Sequence, residues 1–306
     1  MARKKGTKKT YIWLSVLFCI AGMISVGLYQ SEIFGNDKTN PKTAATLPGG
    51  DFAVHFIDVG QGDCTLIRAD GQYILVDAGD VDDDKAVTDY LKAQDVTVLA
   101  LVIATHPHAD HIGGMDSVVK QFTVERLIMP ALKKSVTPTT KVYEAMLTAI
   151  ADRNVPAEAA NPGQTYTVGG ASVEIVGPAG DFNDLNDLSV AALVRYKDLT
   201  VMLSGDAESA AEKAILDSKR PIGATIFKAG HHGSDTSNSE AFLQAVSPQY
   251  VVISCGADNS YGHPHKAALS RLTAHGKTIL RTDKNGHIVF LLADGRLEVT
   301  TQKEAD

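Results

Sequence analysis

Three histidines and one aspartate fall within six consecutive positions, His106-Pro107-His108-Ala109-Asp110-His111. Imidazole nitrogens and carboxylate oxygens are the ligands that zinc and its first-row neighbours take from proteins. An ordinary polar loop does not gather this composition, so the run reads as a metal-binding loop. Gly113 and Gly114 follow it, and glycine lets the backbone pack closely where the next helix starts. The run begins where the apolar stretch 98–104 ends. A buried strand would therefore deliver all four side chains to one turn.

The elements around this loop alternate in type. Short apolar runs at 53–59, 64–69 and 73–76, split by glycine-containing turns, predict a meander of strands. Asp82-Asp83-Asp84 precedes a helical pattern at 85–94, and an acidic run there suits a helix N-terminus. Helical patterns follow at 115–120 and 141–153, and strand runs at 172–176, 189–196 and 199–203. A second cycle has helices near 208–216, 240–246 and 266–274, strands at 224–228 and 250–254, and three terminal strands. The two halves share an order of elements without a residue-level repeat. Such an order implies an α/β fold, either a four-layer αββα sandwich or one large sheet with helices outside.

Composition narrows the classes. Of 306 residues, 44% are hydrophobic and 21% charged, as in globular proteins rather than disordered ones. Residues 1–30 hold five basic residues (Arg3, Lys4, Lys5, Lys8, Lys9) and no acidic one. Removing these five from the 29 Lys and Arg leaves 24 against 36 Asp and Glu, a balance of −12. An acidic body repels a polyanion at long range, which argues against a dedicated nucleic-acid binder. Cations in a cleft would reverse the sign locally. The uncharged stretch 10–31, apolar from 11 to 28, is close to the roughly 20 residues that span a bilayer. Its basic flank and the following Glu32 predict an anchor over 1–31 with the rest outside the cytoplasm. A cleaved signal peptide and a secreted product are the alternative. Residues 32–50 read as a tether, leaving 51–306 as one body. Cys64 and Cys255 read as small buried hydrophobes rather than a disulfide pair.

His-x-His-x-Asp-His after a strand is the signature of the metallo-β-lactamase superfamily, which this sequence resembles. The resemblance implies the four-layer αββα sandwich and a hydrolase with two divalent metal ions, zinc or manganese, with magnesium a further option. It assigns the metal ligands His106, His108, Asp110, His111, Asp206 (in Leu203-Ser204-Gly205-Asp206) and His231 (in Gly230-His231-His232-Gly233). His106 and His108 would hold one metal and Asp110, His111 and His231 the other, with Asp206 bridging. Asp77 resembles the aspartate that supports the metal loop from a neighbouring strand. One departure stands out, because there is no histidine between His111 and His231. The family has one there. The matching place lies near 183–189, and Asn186 is the expected substitute, which makes the first site richer in oxygen.

A narrower resemblance covers most of 51–302. Phe56 to Asp63, Thr105 to Gly114, Lys228 to Ser234 and Tyr261-Gly262-His263-Pro264-His265 look like the hydrolase domain of the ComEC family of DNA-uptake proteins. That family joins the domain to a many-helix membrane channel, whereas this sequence carries one apolar run. Asp58 and Asp63, with Gln61, are candidates to orient ligand histidines or simply to form their turn. His232, His263 and His265 are candidates for substrate contact. Asp110, His232 and His263 make up the expected catalytic set. His55, His275 and His287 read as ordinary element positions. The function expected is phosphodiester hydrolysis, on DNA among other substrates, by a hydroxide bridging two metals about 3.5–4 Å apart. A lactone or β-lactam hydrolase and a metal-binding scaffold without activity are the alternatives.

Overall fold

A computed structural model describes residues 51–304; the expected anchor at 1–31 and tether at 32–50 lie outside the described residues. Among the described residues no helix is long and apolar enough to cross a membrane.

The strands in chain order are β1 (Phe52–Phe56), β2 (Thr65–Ala69), β3 (Gln72–Val76), β4 (Val98–Leu99), β5 (Leu101–Ile103), β6 (Thr123–Val124), β7 (Leu127–Met129), β8 (Ala157–Ala159), β9 (Thr165–Val168), β10 (Ala171–Ile175), β11 (Ala192–Tyr196), β12 (Leu199–Leu203), β13 (Ile226–Lys228), β14 (Tyr250–Ile253), β15 (Thr278–Arg281), β16 (Ile288–Ala293) and β17 (Arg296–Thr301). The helices are α1 (Asp84–Ala93), α2 (Ala109–Ile112), α3 (Met115–Gln121), α4 (Lys141–Asp152), α5 (Ser209–Asp217), α6 (Glu240–Val246), α7 (Lys266–His275) and α8 (Thr282–Asn285).

One sheet runs β17-β16-β1-β2-β3-β5-β7-β8 and the other β15-β14-β13-β12-β11-β10-β9. The alternation of side chains along a strand builds the layers. In β1, Phe52, Val54 and Phe56 face a central core that also takes Val173 and Ile175 of β10 and Val201 and Leu203 of β12. The opposite face of the first sheet, through Leu66, Leu75 and Val102, packs on Leu91, Val118 and Met146 of α1, α3 and α4. The second sheet packs Leu193, Met202 and Val251 on Ile215, Phe242 and Leu272 of α5, α6 and α7. This is the four-layer αββα sandwich.

Three details differ from the sequence reading. The run 98–104 breaks at Ala100: β4 pairs with β6 in a separate ribbon, and β5 pairs with β3. The cap of α1 starts earlier, with Asp80 and Asp83 closing a reciprocal capping box on the 3₁₀ turn Val81–Asp83. Of the three terminal strands, β15 extends the second sheet, but β16 crosses over and pairs with β1. Cys64 and Cys255 are buried and free.

Candidate metal centre

Parallel strands of both sheets end on the same edge. Asp77 follows β3, Thr105 to His108 follow β5, Asp206 follows β12, and His231 and His232 follow β13. Sites in α/β proteins form where strand carboxyl ends release loops, and the loops here hold one another at backbone level. Asp63 N donates to Asp110 O at 3.0 Å and Ala78 N to His111 O at 2.7 Å. A Cβ on Gly62 would sit 2.5 Å from Asp110 O, and one on Gly113 only 2.2 Å from backbone atoms of Asp80 and Val81. Glycine is needed at both positions for the loops to meet. Asp77, His231 and His232 all have positive φ, at 60°, 50° and 51°, a conformation that costs about 1–2 kcal/mol per residue and gathers at functional sites.

The ligand atoms converge on Asp206, which is 2% exposed. Its Oδ2 lies 3.2 Å from His111 Nε2, 3.6 Å from His232 Nε2, 3.7 Å from His231 Nε2 and 3.8 Å from His106 Nε2. His106 Nε2 and His108 Nδ1 stand 3.0 Å apart on one side. On the other side His232 Nε2 is 3.1 Å and His111 Nε2 3.9 Å from Asp110 Oδ2. Asp110, His111, Asp206 and His232 thus form one group of mutually close ligand atoms.

The ring orientations are set from behind. His111 Nδ1 is 2.8 Å from Asp77 Oδ2, and the same carboxylate accepts from Thr105 N and Thr105 Oγ1 at 2.8 and 2.7 Å. His232 Nδ1 meets Ser254 O at 3.0 Å and Asp63 Oδ1 at 3.3 Å. With Nδ1 carrying the proton, each ring turns a bare Nε2 toward Asp206. Behind Asp63 lies the buried Lys228, with Nζ 2.5 Å from Asp63 Oδ2.

Electrostatics follow from burial against charge. Without metal, burial would raise the Asp206 carboxyl, but His111 and His232 hold it well below the usual carboxylate range. Burial opposes charge on His232, yet Asp206 and Asp63 raise it to about 9. His111 is likewise held well above its ordinary value against burial, by Asp206 and Asp77. Burial, then the neighbouring His111, lowers His106. The metal-free site thus keeps protons where cations would sit. His111 Nε2, Asp206 Oδ1 and Asn186 Oδ1 are buried with no hydrogen-bond partner among the described residues. Nitrogen and oxygen donors left bare in one place fit divalent cations.

The expected site residues divide. His106, His108, Asp110, His111, Asn186 and Asp206 come together, with Asp63 and Asp77 behind them. His232 joins the close group with Asp110 and His111, while His231 stands outside that group with Nε2 3.7 Å from Asp206 Oδ2. Adjacent residues in left-handed conformation turn the chain so that the second ring is buried and the first is partly open. Asp58 moves out of the support set. Its Oδ1 accepts from Gly60 N, its Oδ2 is 3.7 Å from Lys303, and it lines a neighbouring cleft with Asp283 and His287. His265 stands behind His263 with ring centroids 4.8 Å apart, its two ring nitrogens meeting Asp235 Oδ1 and Tyr261 O. His263 does line the cleft of about 370 Å³, with Asn186, Asp206 and Tyr261. Its Nδ1 has no hydrogen-bond partner among the described residues, and burial, then His232, lowers its pKa to about 4. Sequence reasoning missed Lys228, whose apolar strand setting hides a buried charge. It also missed Glu208, two positions beyond Asp206, and Tyr261, which is 64% exposed beside His263.

Comparison with known proteins agrees with this architecture. Residues 57–257 match the family model of the Metallo-beta-lactamase superfamily. The chain is 30% identical over 256 residues to ComE operon protein 3 of Bacillus subtilis (strain 168), covering 78% of this chain and 32% of that protein. It is 30% identical over 252 residues to Competence protein ComA of Neisseria gonorrhoeae, covering 81% and 33%. It spans about a third of the length of these curated relatives. The solved structure of CmlA, a diiron beta-hydroxylase from Streptomyces venezuelae, superposes with a TM-score of 0.53 at 13% identity, over 80% of this chain and 55% of that one, a likeness of fold. A histidine and aspartate cluster on the shared edge of an αββα sandwich, and a family match running from the end of β1 past β14, come to one conclusion: the chain belongs to the metallo-β-lactamase superfamily of metal-dependent hydrolases, among its ComEC-like members.

Proposed function

We propose that this protein is a two-metal phosphodiesterase, with nucleic-acid strands among its substrates, working outside the cytoplasm on an N-terminal anchor. The observation that carries the reading is the position of Asp206 Oδ2 among four histidine Nε2 atoms at 3.2–3.8 Å. A carboxylate so placed suits two cations rather than one. His106, His108 and Asn186 would hold the first, and Asp110, His111 and His232 the second, with Asp206 shared. Cations there supply Lewis acidity and an activated water near neutral pH. The protein's own groups do the rest. Asp77 and Asp63 fix the rings of His111 and His232. Lys228 balances Asp63, whose carboxyl burial would raise but which Lys228 and His232 lower to about 2. His263 lines the cleft, where its ring is placed to meet a phosphoryl or leaving-group oxygen.

Phosphate is favoured over a carboxylic substrate because Asn186 brings an amide oxygen to the cleft and no histidine lies between His111 and His231 to supply a third imidazole. Oxygen ligands favour harder cations, and these suit phosphate oxygens. The likeness to Competence protein ComA, with the resemblance to the ComEC family of DNA-uptake proteins, supports a nucleic-acid substrate. The test is a panel of phosphodiester, lactone and β-lactam substrates offered to metal-free protein with added Mn²⁺, Zn²⁺ or Mg²⁺. Diester cleavage restored by metal, with the others slower by orders of magnitude, is expected. Faster lactone or lactam turnover would overturn the substrate, and a chain binding no metal would overturn the enzyme.

A further inference from the structure

His106 and His108 reach the first cation position from the metal loop, and no histidine lies between His111 and His231 to complete it. A single carboxylate oxygen outside the ligand set organises what does. Glu208 Oε1 lies 2.9 Å from Thr236 Oγ1, 3.3 Å from His231 Nδ1 and 3.4 Å from Asn186 Nδ2. Glu208 stands at the N-cap of α5, yet its side chain makes no capping bond.

Each contact removes a choice. An amide has a donor end and an acceptor end. With Nδ2 donating to Glu208, Asn186 turns Oδ1 the other way, where it is buried without a hydrogen-bond partner among the described residues, and the residue lines the same cleft as His108 and His231. A neutral imidazole has one N–H. His231 Nδ1 has two acceptors at hand, Glu208 Oε1 and Thr236 Oγ1, the latter at 3.4 Å. Thr236 donates its own proton to Glu208 and so accepts from the ring. The proton therefore stays on Nδ1, and Nε2 faces Asp206 as a lone pair at 3.7 Å.

We infer that Glu208 is a positioning residue for the first cation, fixing Asn186 Oδ1 and His231 Nε2 as the ligands that complete the site begun by His106 and His108. The inference rests on the reading that the cleft holds two cations. Carboxylates behind metal ligands are typically worth about 10–100-fold in metal affinity. The experiment is calorimetric titration of the full chain, stripped with chelator, with Mn²⁺ and Zn²⁺. The tautomer of His231 in the metal-free protein is read in parallel by ¹⁵N NMR. Wild type should show two binding events and a proton on Nδ1. Glu208→Ala should weaken one event by about 10–100-fold, leave the other within about twofold, and mix the tautomers. Glu208→Gln keeps an acceptor oxygen and should recover most of the loss. Two unchanged events in Glu208→Ala, or equal weakening of both with a lowered melting temperature, would overturn the inference. A wild-type chain with one event would instead overturn the two-cation reading beneath it.

Discussion

Asp63 shows how much of a site hides between motifs. Its neighbours in sequence mark a turn, but in space its carboxylate sits between the buried ammonium of Lys228 and the ring of His232. Unpaired, a buried Lys would cost several kcal/mol; paired, it keeps Asp63 ionised and so holds the His232 proton on Nδ1. The residue types were legible because a six-residue cluster of ligands has few other uses. The split between His231 and His232 was not, because neither periodicity nor composition tells which of two adjacent histidines turns inward. Asp58 and Asp63 posed the same problem five positions apart. His263 gives the sharpest residue-level test, since it faces the cleft but lies outside the group formed by Asp110, His111, Asp206 and His232. His263→Ala should lower kcat by about 100-fold or more, the lower end of what a positioned proton-transfer group contributes, while bound metal per chain stays at wild-type level. His232→Ala should lose metal and activity together. Metal loss in His263→Ala in step with turnover would make it a ligand, and unchanged turnover would remove it from the reaction.

At the scale of elements, apolar runs announced what they became. The meander β1 to β3, the long helices and β10 to β14 follow from alternation and helical spacing. The short strands β6 to β9 did not show, because two to four residues leave no period to read. β6, β7 and β8 are held by parallel neighbours, β4 with β6, β5 with β7 and β7 with β8, whereas β9 pairs antiparallel with β10. The junction between elements is where the site is decided. Gly113 has helical φ, so an alanine there would by propensity alone gain up to about 1 kcal/mol. Its Cβ would meet backbone at 2.2 Å on the 80–81 turn, and overpacking against groups that cannot yield costs about 1–3 kcal/mol or more. The clash outweighs the propensity. Gly113→Ala should lower the unfolding free energy by about 2 kcal/mol and weaken metal binding, because α2 carries Asp110 and His111. Denaturant unfolding of the metal-free protein measures the first and metal titration the second. A variant more stable than wild type would mean the two loops are not in the close contact described.

On the scale of the whole molecule, charge and chemistry pull in opposite directions. The chain beyond residue 30 carries 24 basic against 36 acidic residues, so a polyanion meets repulsion before it meets the cleft. The cations proposed for that cleft supply a local attraction for phosphate. Proteins that hold nucleic acid through many Lys and Arg contacts lose affinity steeply with salt, by about 10³–10⁵ between 50 and 200 mM for six to ten phosphate contacts. This body should behave otherwise. Salt shortens the reach of its own negative field, with a Debye length near 10 Å at 0.1 M, and that helps a long strand approach. It leaves contacts at a buried cation nearly untouched. A dinucleotide diester has little charge to repel, so its kcat/KM should vary less than about twofold over the same range, a bound that follows from screening alone. For a long single strand, kcat/KM should stay level or rise. The measurement is kcat/KM for both substrates from 20 to 200 mM monovalent salt, at saturating divalent metal so that the cations themselves do not titrate. A loss of two or more orders of magnitude for the long strand, with the dinucleotide flat, would reveal a basic track beyond the cleft. Catalysis would then depend on a binding surface that the charge balance of this chain argues against.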